Sequence, residues 1–439
     1  WMDYKESRYN HSGMVGDQVF LYNLVTSSVA VIGKSEYAQV KDCVFSDSDL
    51  MRTSVENGFI VPADEDEVEK VLAIQRMNNY STRFAGFQIL PTTACNARCF
   101  YCYEQSYKPV CMKSGVAEAV PAFIESYMDM VDDVHVTWFG GEPMLELDRI
   151  LDLSKKLMDS AERHGVGYTS DMITNATLAT PDAVRMLVHD CEVSQVQITL
   201  DGLAEEHQRR KAYLTESITF DTVLAAMDAF VDQGAKLLIR LNMDKGNYKD
   251  CLELIPLLGE RYRGLDTVML YAAPLYGSGN VEDFYTEADL NEAYKAIFRA
   301  MIDAGFIQTL DGLPLNFNNA TCSARMINNF VIDPSGDVFK CEHLLAEAAQ
   351  RIGNVFEGVL FNEALAQWAS PDVPRKCREC SFLPSCQAGC YAAEALDFGL
   401  KRCPHIAFIT DAIIDAAGYL LGCGSHADRT ISNGRKDRR

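Results

Sequence analysis

From residue 84 to about 274 the chain alternates two textures. Short apolar runs stand at 87–90, 134–139, 168–173, 193–200, 237–241 and 268–271. Between them lie segments such as LDRILDLSKKLMDSAERHG and FDTVLAAMDAFVDQG, the second closed by Gly234, whose apolar positions recur every third or fourth residue. The first texture predicts strands and the second amphipathic helices. Six strand–helix repeats imply a parallel sheet, which right-handed crossovers curl toward a partial (βα)6 barrel of TIM-like type. Functional groups in such sheets gather at the C-terminal ends of the strands.

The flanks read differently. QVFLYNLVTSSVAVIG has two β-like runs around a polar turn and predicts a hairpin; helices are expected over 35–44 and 47–57. Pro62 and the acidic residues after it open a further helix carrying Val68, Val71, Leu72 and Ile74. Past Asp311 the repeats give way to turns. FVIDPSGDVFKC predicts a hairpin that delivers Cys341, and 405–422 is apolar enough for a closing helix. The expected units are 1–83, 84–310, 311–405 and 406–439, the last ending in a basic tail, NGRKDRR, expected to be solvated.

A length of 439 residues calls for more than one ordinary core. The net charge of −22 argues against nucleic acid as a partner, and leaves room for a basic peptide or a redox protein. The sequence shows no apolar stretch of the length that spans a membrane, and WMDYKESRYN lacks the pattern of a signal peptide. Fifteen cysteines, several in close C-x2-C spacing, then fit metal ligation in a reducing cytoplasm better than a disulfide framework.

The cysteines carry the chemistry. Cys95, Cys99 and Cys102 form a C-x3-C-x2-C triplet directly after the first predicted strand. Structural zinc sites close with four ligands. Three thiolates on an iron–sulfur cubane leave one iron open to a cofactor. A second set follows: Cys322, Cys341, Cys377, Cys380, Cys386, Cys390 and Cys403.

The chain resembles a radical S-adenosylmethionine (SAM) enzyme with a SPASM-type C-terminal extension. The triplet, with Tyr101 before its third cysteine, is similar to the cluster motif of that superfamily. WFGGEPML follows the second strand, and by resemblance the backbone of Gly140, Gly141, Glu142 and Pro143 would hold the SAM amino group. Glu142 also offers an acceptor for an ammonium. ITNAT resembles the family's TNG segment, with Ala176 in the glycine place beside Asn175. QITLDG suggests Thr199 and Asp201 near the ribose and substrate. Arg240 suits the SAM carboxylate, with Asn242 beside it. His207 and Arg209 in HQRRK resemble a loop of peptide-modifying members; a solvated basic turn is the plainer reading. Asp244 and Asn247 read as helix caps.

The late cysteines follow the seven-cysteine SPASM order. The resemblance implies that Cys377, Cys380, Cys386 and Cys403 hold one auxiliary cluster and Cys322, Cys341 and Cys390 another. Three 4Fe–4S clusters and SAM are thus the expected cofactors. Seven thiolates are one short of eight, so one auxiliary iron is open, filled by a substrate thiol, or met by Cys43, Cys111, Cys191, Cys251 or Cys423. Glu342 stands where sulfatase-maturing relatives carry a proton-accepting aspartate. The N-terminal pattern resembles a small winged-helix unit that binds a leader peptide as an added strand. The resemblance implies a peptide maturase served by a low-potential donor of flavodoxin or ferredoxin type. It would install a cross-link in a ribosomally made precursor, a cysteine thioether first, with a carbon–carbon link also open. Oxidation of cysteine or serine to formylglycine is the alternative within the class. An electron carrier without turnover is the alternative outside it.

Overall fold

The computed structural model describes residues 3–275, 285–315, 322–370, 373–392, 403, 409–423 and 431–432. The N-terminal unit runs through strands β1 (Tyr4–Glu6), β2 (Asn10–Val15), β3 (Gln18–Asn23) and β4 (Val29–Gly33). Helices Lys34–Asp42 and Ser48–Glu56, strand β5 (Ile60–Pro62) and helix Glu67–Asn79 follow. The predicted hairpin is β3–β4, with Phe20 opposite Val31. Strand β2, which pairs antiparallel with β3, carries the mixed run NHSGMV and gave no alternating signal. Its Gly13 has no room for a side chain, because a Cβ there would meet Ile414 on helix Thr410–Cys423.

Six parallel strands follow in chain order: β6 (Phe84–Ile89), β7 (Asp133–Trp138), β8 (Gly167–Thr174), β9 (Val193–Leu200), β10 (Lys236–Met243) and β11 (Val268–Pro274). β11 does not return to β6. The free edge of β6 is taken instead by β12 (Asn329–Ile332), which runs parallel to it, with Phe330 beside Phe87. β13 (Asp337–Phe339), β14 (Gly353–Asn354) and β15 (Gly358–Val359) then extend the sheet antiparallel to ten strands. The cysteine-rich segment is therefore continuous with the parallel sheet. The predicted turn before Cys341 is the β12–β13 hairpin.

A parallel sheet covered on both faces reads as unbroken apolar runs. These six strands alternate instead. On β7, Val134, Val136 and Trp138 are wholly buried under the helices, while His135 and Thr137 on the other face are only half-buried. Gln88, Asp171, Gln197, Thr199, Arg240 and Tyr271 continue that half-open polar face across the neighbouring strands. One side of the sheet is thus core, and the other is a polar surface with solvent access.

The ends of the chain meet. Helix Thr410–Cys423 packs across β2 and along helix Glu287–Asp303, with Ala412, Ile413, Ala416 and Ala417 buried. β16 (Ile431–Ser432) pairs antiparallel with β4; the basic tail at 433–439 lies outside the described residues. The N-terminal unit also packs on the cysteine-rich segment. The His11 and Phe382 rings lie 4.5 Å apart, Gln75 Nε2 donates to the Leu383 carbonyl at 3.1 Å, and Arg378 pairs with Glu69.

Candidate active site

The loop after β6 carries the triplet, and three neighbours hold it. The amides of Gly141 and Glu142 donate to the carbonyls of Thr92 and Ala94 at 3.2 and 2.9 Å. A Cβ on Gly140 or Gly141 would strike the Thr92 or Ala94 carbonyl. The paired glycines thus let the β7 loop close on the cysteine loop. Asn175 Nδ2 donates to Asn96 Oδ1 at 2.8 Å and lies 3.9 Å from Cys95 Sγ. From the far side, the Arg98 amide donates to the Lys211 carbonyl at 2.9 Å, and the Cys99 thiol reaches the same carbonyl at 3.7 Å.

Burial and neighbouring charges act on all three thiols. Burial raises Cys95 to about 11, with Glu142 and Cys99 adding to it. Cys102 rises to about 12 by burial, then by Glu104, Cys99 and Cys95. Cys99 is raised by burial and drawn back by the Lys211 ammonium. Such thiols hold their protons until a cation takes the thiolate, as a metal cluster does.

Glu142 links two loops. It is wholly buried, and its oxygens accept from Met144 N at 3.0 Å, Thr174 Oγ1 at 2.7 Å and Asn175 N at 2.8 Å. Its carboxylate therefore ties the β7 loop to the end of β8. Pro143 follows, buried, at the start of a short 3-10 turn. Ala176, in the glycine place, holds a left-handed φ of 61°.

Asp201 is also wholly buried. Tyr101 Oη donates across both its oxygens, at 2.8 and 2.9 Å, and Lys211 Nζ lies 3.2 Å from Oδ2. These contacts hold the triplet loop against the end of β9. Asn247 reaches the Asp201 and Asn242 carbonyls, both at 2.7 Å, so it locks the strand ends as well as opening a helix. Asp244 pairs with Arg210 at 2.5 Å, well beyond a cap's role.

The HQRRK segment divides by helical face. Arg209 is exposed and pairs with Glu206. His207, Arg210 and Lys211 are buried, and Arg210 stacks over the Phe100 ring at 4.8 Å. Reading the segment at i, i+3 and i+4 spacing from His207 singles out Arg210 and Lys211.

Thr199 and Arg240 are lateral partners on β9 and β10, on the half-open polar face. Arg240 Nε donates to Asn242 Oδ1 at 2.8 Å, which fixes the guanidinium. Across from them, the triplet loop docks on the loop after β13. Tyr107 Oη donates to the Glu342 carbonyl at 3.0 Å, and the Tyr103 and His343 rings lie 4.1 Å apart. His343 is lowered by burial, with the charges of Glu342 and Arg240 also acting on it. Glu104, which the sequence reading passed over, is raised to about 7 by burial and by the Glu342 and Glu142 charges. Glu342 is brought in this way to the triplet loop.

The late cysteines act on one another electrostatically in two sets. Burial raises Cys341, with Glu342, Cys322 and Cys390 acting on it as well. Cys386 rises to about 11 by burial, with Cys380, Cys377 and Cys403 adding. Among the described residues no three His, Cys, Asp or Glu side chains converge on a point fit for a single metal ion. A multi-iron cluster takes each thiolate on a different iron, so its ligands stand further apart.

Residues 89–258 match the Radical SAM superfamily. The chain carries a radical SAM domain, and it is an enzyme. A serine-type anaerobic sulfatase-maturating enzyme of Klebsiella aerogenes is 25% identical over 330 residues, covering 68% of this chain and 77% of that protein. Among solved structures, anSMEcpe with bound AdoMet and a Cp18Cys peptide matches with a TM-score of 0.57 at 19% identity, over 77% of this chain and 97% of that one. Streptococcus suis SuiB bound to precursor peptide SuiA matches with a TM-score of 0.50 at 16% identity, over 90% of this chain and 97% of that one. The likeness to these two is one of fold. A radical SAM domain works with a 4Fe–4S cluster and SAM. The half-buried triplet, held by Asn175, Lys211 and the glycine pair, fits the cluster's three thiolates. No helix among the described residues is long and apolar enough to cross a membrane.

Proposed function

We propose that this radical SAM enzyme matures a ribosomally made precursor peptide, installing a cross-link between a cysteine sulfur and a carbon. The observation that supports the reading is the docking of the triplet loop on the Cys341–Glu342 loop through Tyr103 and Tyr107, which brings the loop of the three proposed cluster ligands against a loop bearing a further thiol and an acid. When bound to Cys95, Cys99 and Cys102, the cluster with SAM supplies a 5′-deoxyadenosyl radical able to take hydrogen from an unactivated carbon.

The residues of the chain do the rest. Arg240 takes the SAM carboxylate, steadied by Asn242, and Thr199 stands beside it. Asn175 and the β7 loop orient the cysteine loop. Thioether formation removes two hydrogens: one leaves on the nucleoside, and the thiol proton passes to Glu342. The electron left over needs an acceptor. The groups Cys322/Cys341/Cys390 and Cys377/Cys380/Cys386/Cys403 provide sites for two auxiliary clusters that would take it. A low-potential protein donor, of flavodoxin or ferredoxin type, would start each turnover.

The SuiB match leaves only a tenth of this chain uncovered, fewer residues than the N-terminal 83, so it reaches into that unit. This supports a leader-binding part for the N-terminal sheet. Formylglycine formation is favoured by the likeness to the Klebsiella aerogenes enzyme. The two readings differ in product. The test is anaerobic turnover of a cysteine-bearing peptide encoded beside this chain, followed by tandem mass spectrometry. Loss of two hydrogens, with the sulfur kept and bonded to carbon, is expected. Loss of sulfur, or an aldehyde at serine, would overturn the cross-link. C377A/C380A should still cleave SAM but leave the peptide unmodified.

A further inference from the structure

Lys211 touches the triplet loop with both its ends. Its carbonyl accepts from the Arg98 amide at 2.9 Å and stands 3.7 Å from Cys99 Sγ. The residue is only 4% exposed, and its ammonium donates to Tyr101 Oη at 3.1 Å and lies 3.2 Å from Asp201 Oδ2. Tyr101 is itself the neighbour of Cys102, and Asp201 is 0% exposed. A buried cation and a buried anion therefore stand together behind the metal site, tied through one phenol to the loop that carries all three thiolates.

Holding the loop does not by itself require a charge pair. A buried pair is costly to desolvate, and apolar side chains of like volume often serve as well. What a fixed charge adds is an electrostatic field at the thiolates. Reducing a thiolate-bound cluster adds one negative charge, and an adjacent cation in a low-dielectric site stabilises the reduced form.

We propose that Lys211 raises the reduction potential of the cluster held by Cys95, Cys99 and Cys102, with Asp201 as the opposing charge. Lys211 is thus a positioning residue that acts through the thiolates. The inference rests on the triplet holding a cluster, and on nothing about the peptide product.

The experiment is an anaerobic redox titration of the reconstituted full chain followed by electron paramagnetic resonance. The signal that changes on adding SAM identifies the triplet's cluster; its absence from the parent protein would overturn the cluster reading itself. K211M should lower the reduced-to-oxidised ratio at a fixed potential about tenfold, equivalent to about 59 mV for one electron. K211R should stay close to the parent, and D201N should raise the ratio. A purely structural role would weaken cluster retention in K211M and D201N without opposite shifts. If K211M fails to hold its cluster, D201N decides alone, and an unchanged or lowered ratio would overturn the proposal. Unchanged ratios in both variants, or shifts of one sign, would do the same.

Discussion

Ala176 shows how a single residue bears on the site. It occupies a left-handed conformation, with φ 61°, at 0% exposure, and its amide donates to Thr174 Oγ1 at 2.9 Å. Left-handed backbone costs an L-residue about 1–2 kcal/mol, while a buried methyl contributes about 0.8 kcal/mol. A176G should therefore shift the urea midpoint by the equivalent of less than about 1 kcal/mol, the two effects nearly cancelling. A176V, β-branched and overpacked, should cost more than about 2 kcal/mol. A large loss in A176G would contradict the strain argument. The sequence marked this position only through the family's glycine. It pointed to Glu142 and Asp201 through motif position, and gave no sign that both are buried and hold neighbouring loops. Spacing along a chain reveals residue type and rough location. Whether a carboxylate faces the cavity or the loop behind it depends on packing from other strands. Lys211 was hidden for the same reason: its partners lie 10 and 110 residues away.

At the scale of elements, strong periodicity was legible and cross-chain pairing was not. All six parallel strands fall where apolar runs predicted them, because β7 to β11 bury one face against helices whose own patterns were clear. The closing helix, expected at 405–422, is described over Thr410–Cys423. β2 escaped notice because Gly13 and its polar neighbours make sense only once Ile414 is laid over them. That helix supports a prediction of its own. Ala416 is wholly buried where the helix meets the rest of the fold. A416E would place an ionised carboxylate in an apolar contact, which is strongly destabilising without a partner. The N-terminal unit should then be cut faster in limited proteolysis, while D411A, at an exposed position of the same helix, should match the parent. Equal cutting rates in A416E and the parent would show that the helix does not fasten the unit.

Taken as a whole, the molecule is more continuous than its sequence segments. The boundary expected near 311 falls inside one ten-stranded sheet, since β12 adds to the free edge of β6. That join places the Cys341–Glu342 loop against the triplet loop. The N-terminal unit in turn rests on the Cys380–Cys386 stretch through Phe382 and Leu383. A peptide held by the N-terminal sheet would thus sit on the element that carries the second thiol group. Composition could suggest the parts; only the edge pairing of β6 and β12 fixes their order in space. The account stands on an iron at Cys95, Cys99 and Cys102 that keeps one coordination position for SAM. The most direct measurement is 5′-deoxyadenosine release from the anaerobically reconstituted protein given SAM and dithionite. The account predicts that the parent forms the nucleoside and that C95A/C99A/C102A forms none. An iron-loaded parent that releases none, or a triple variant that releases as much, would contradict it.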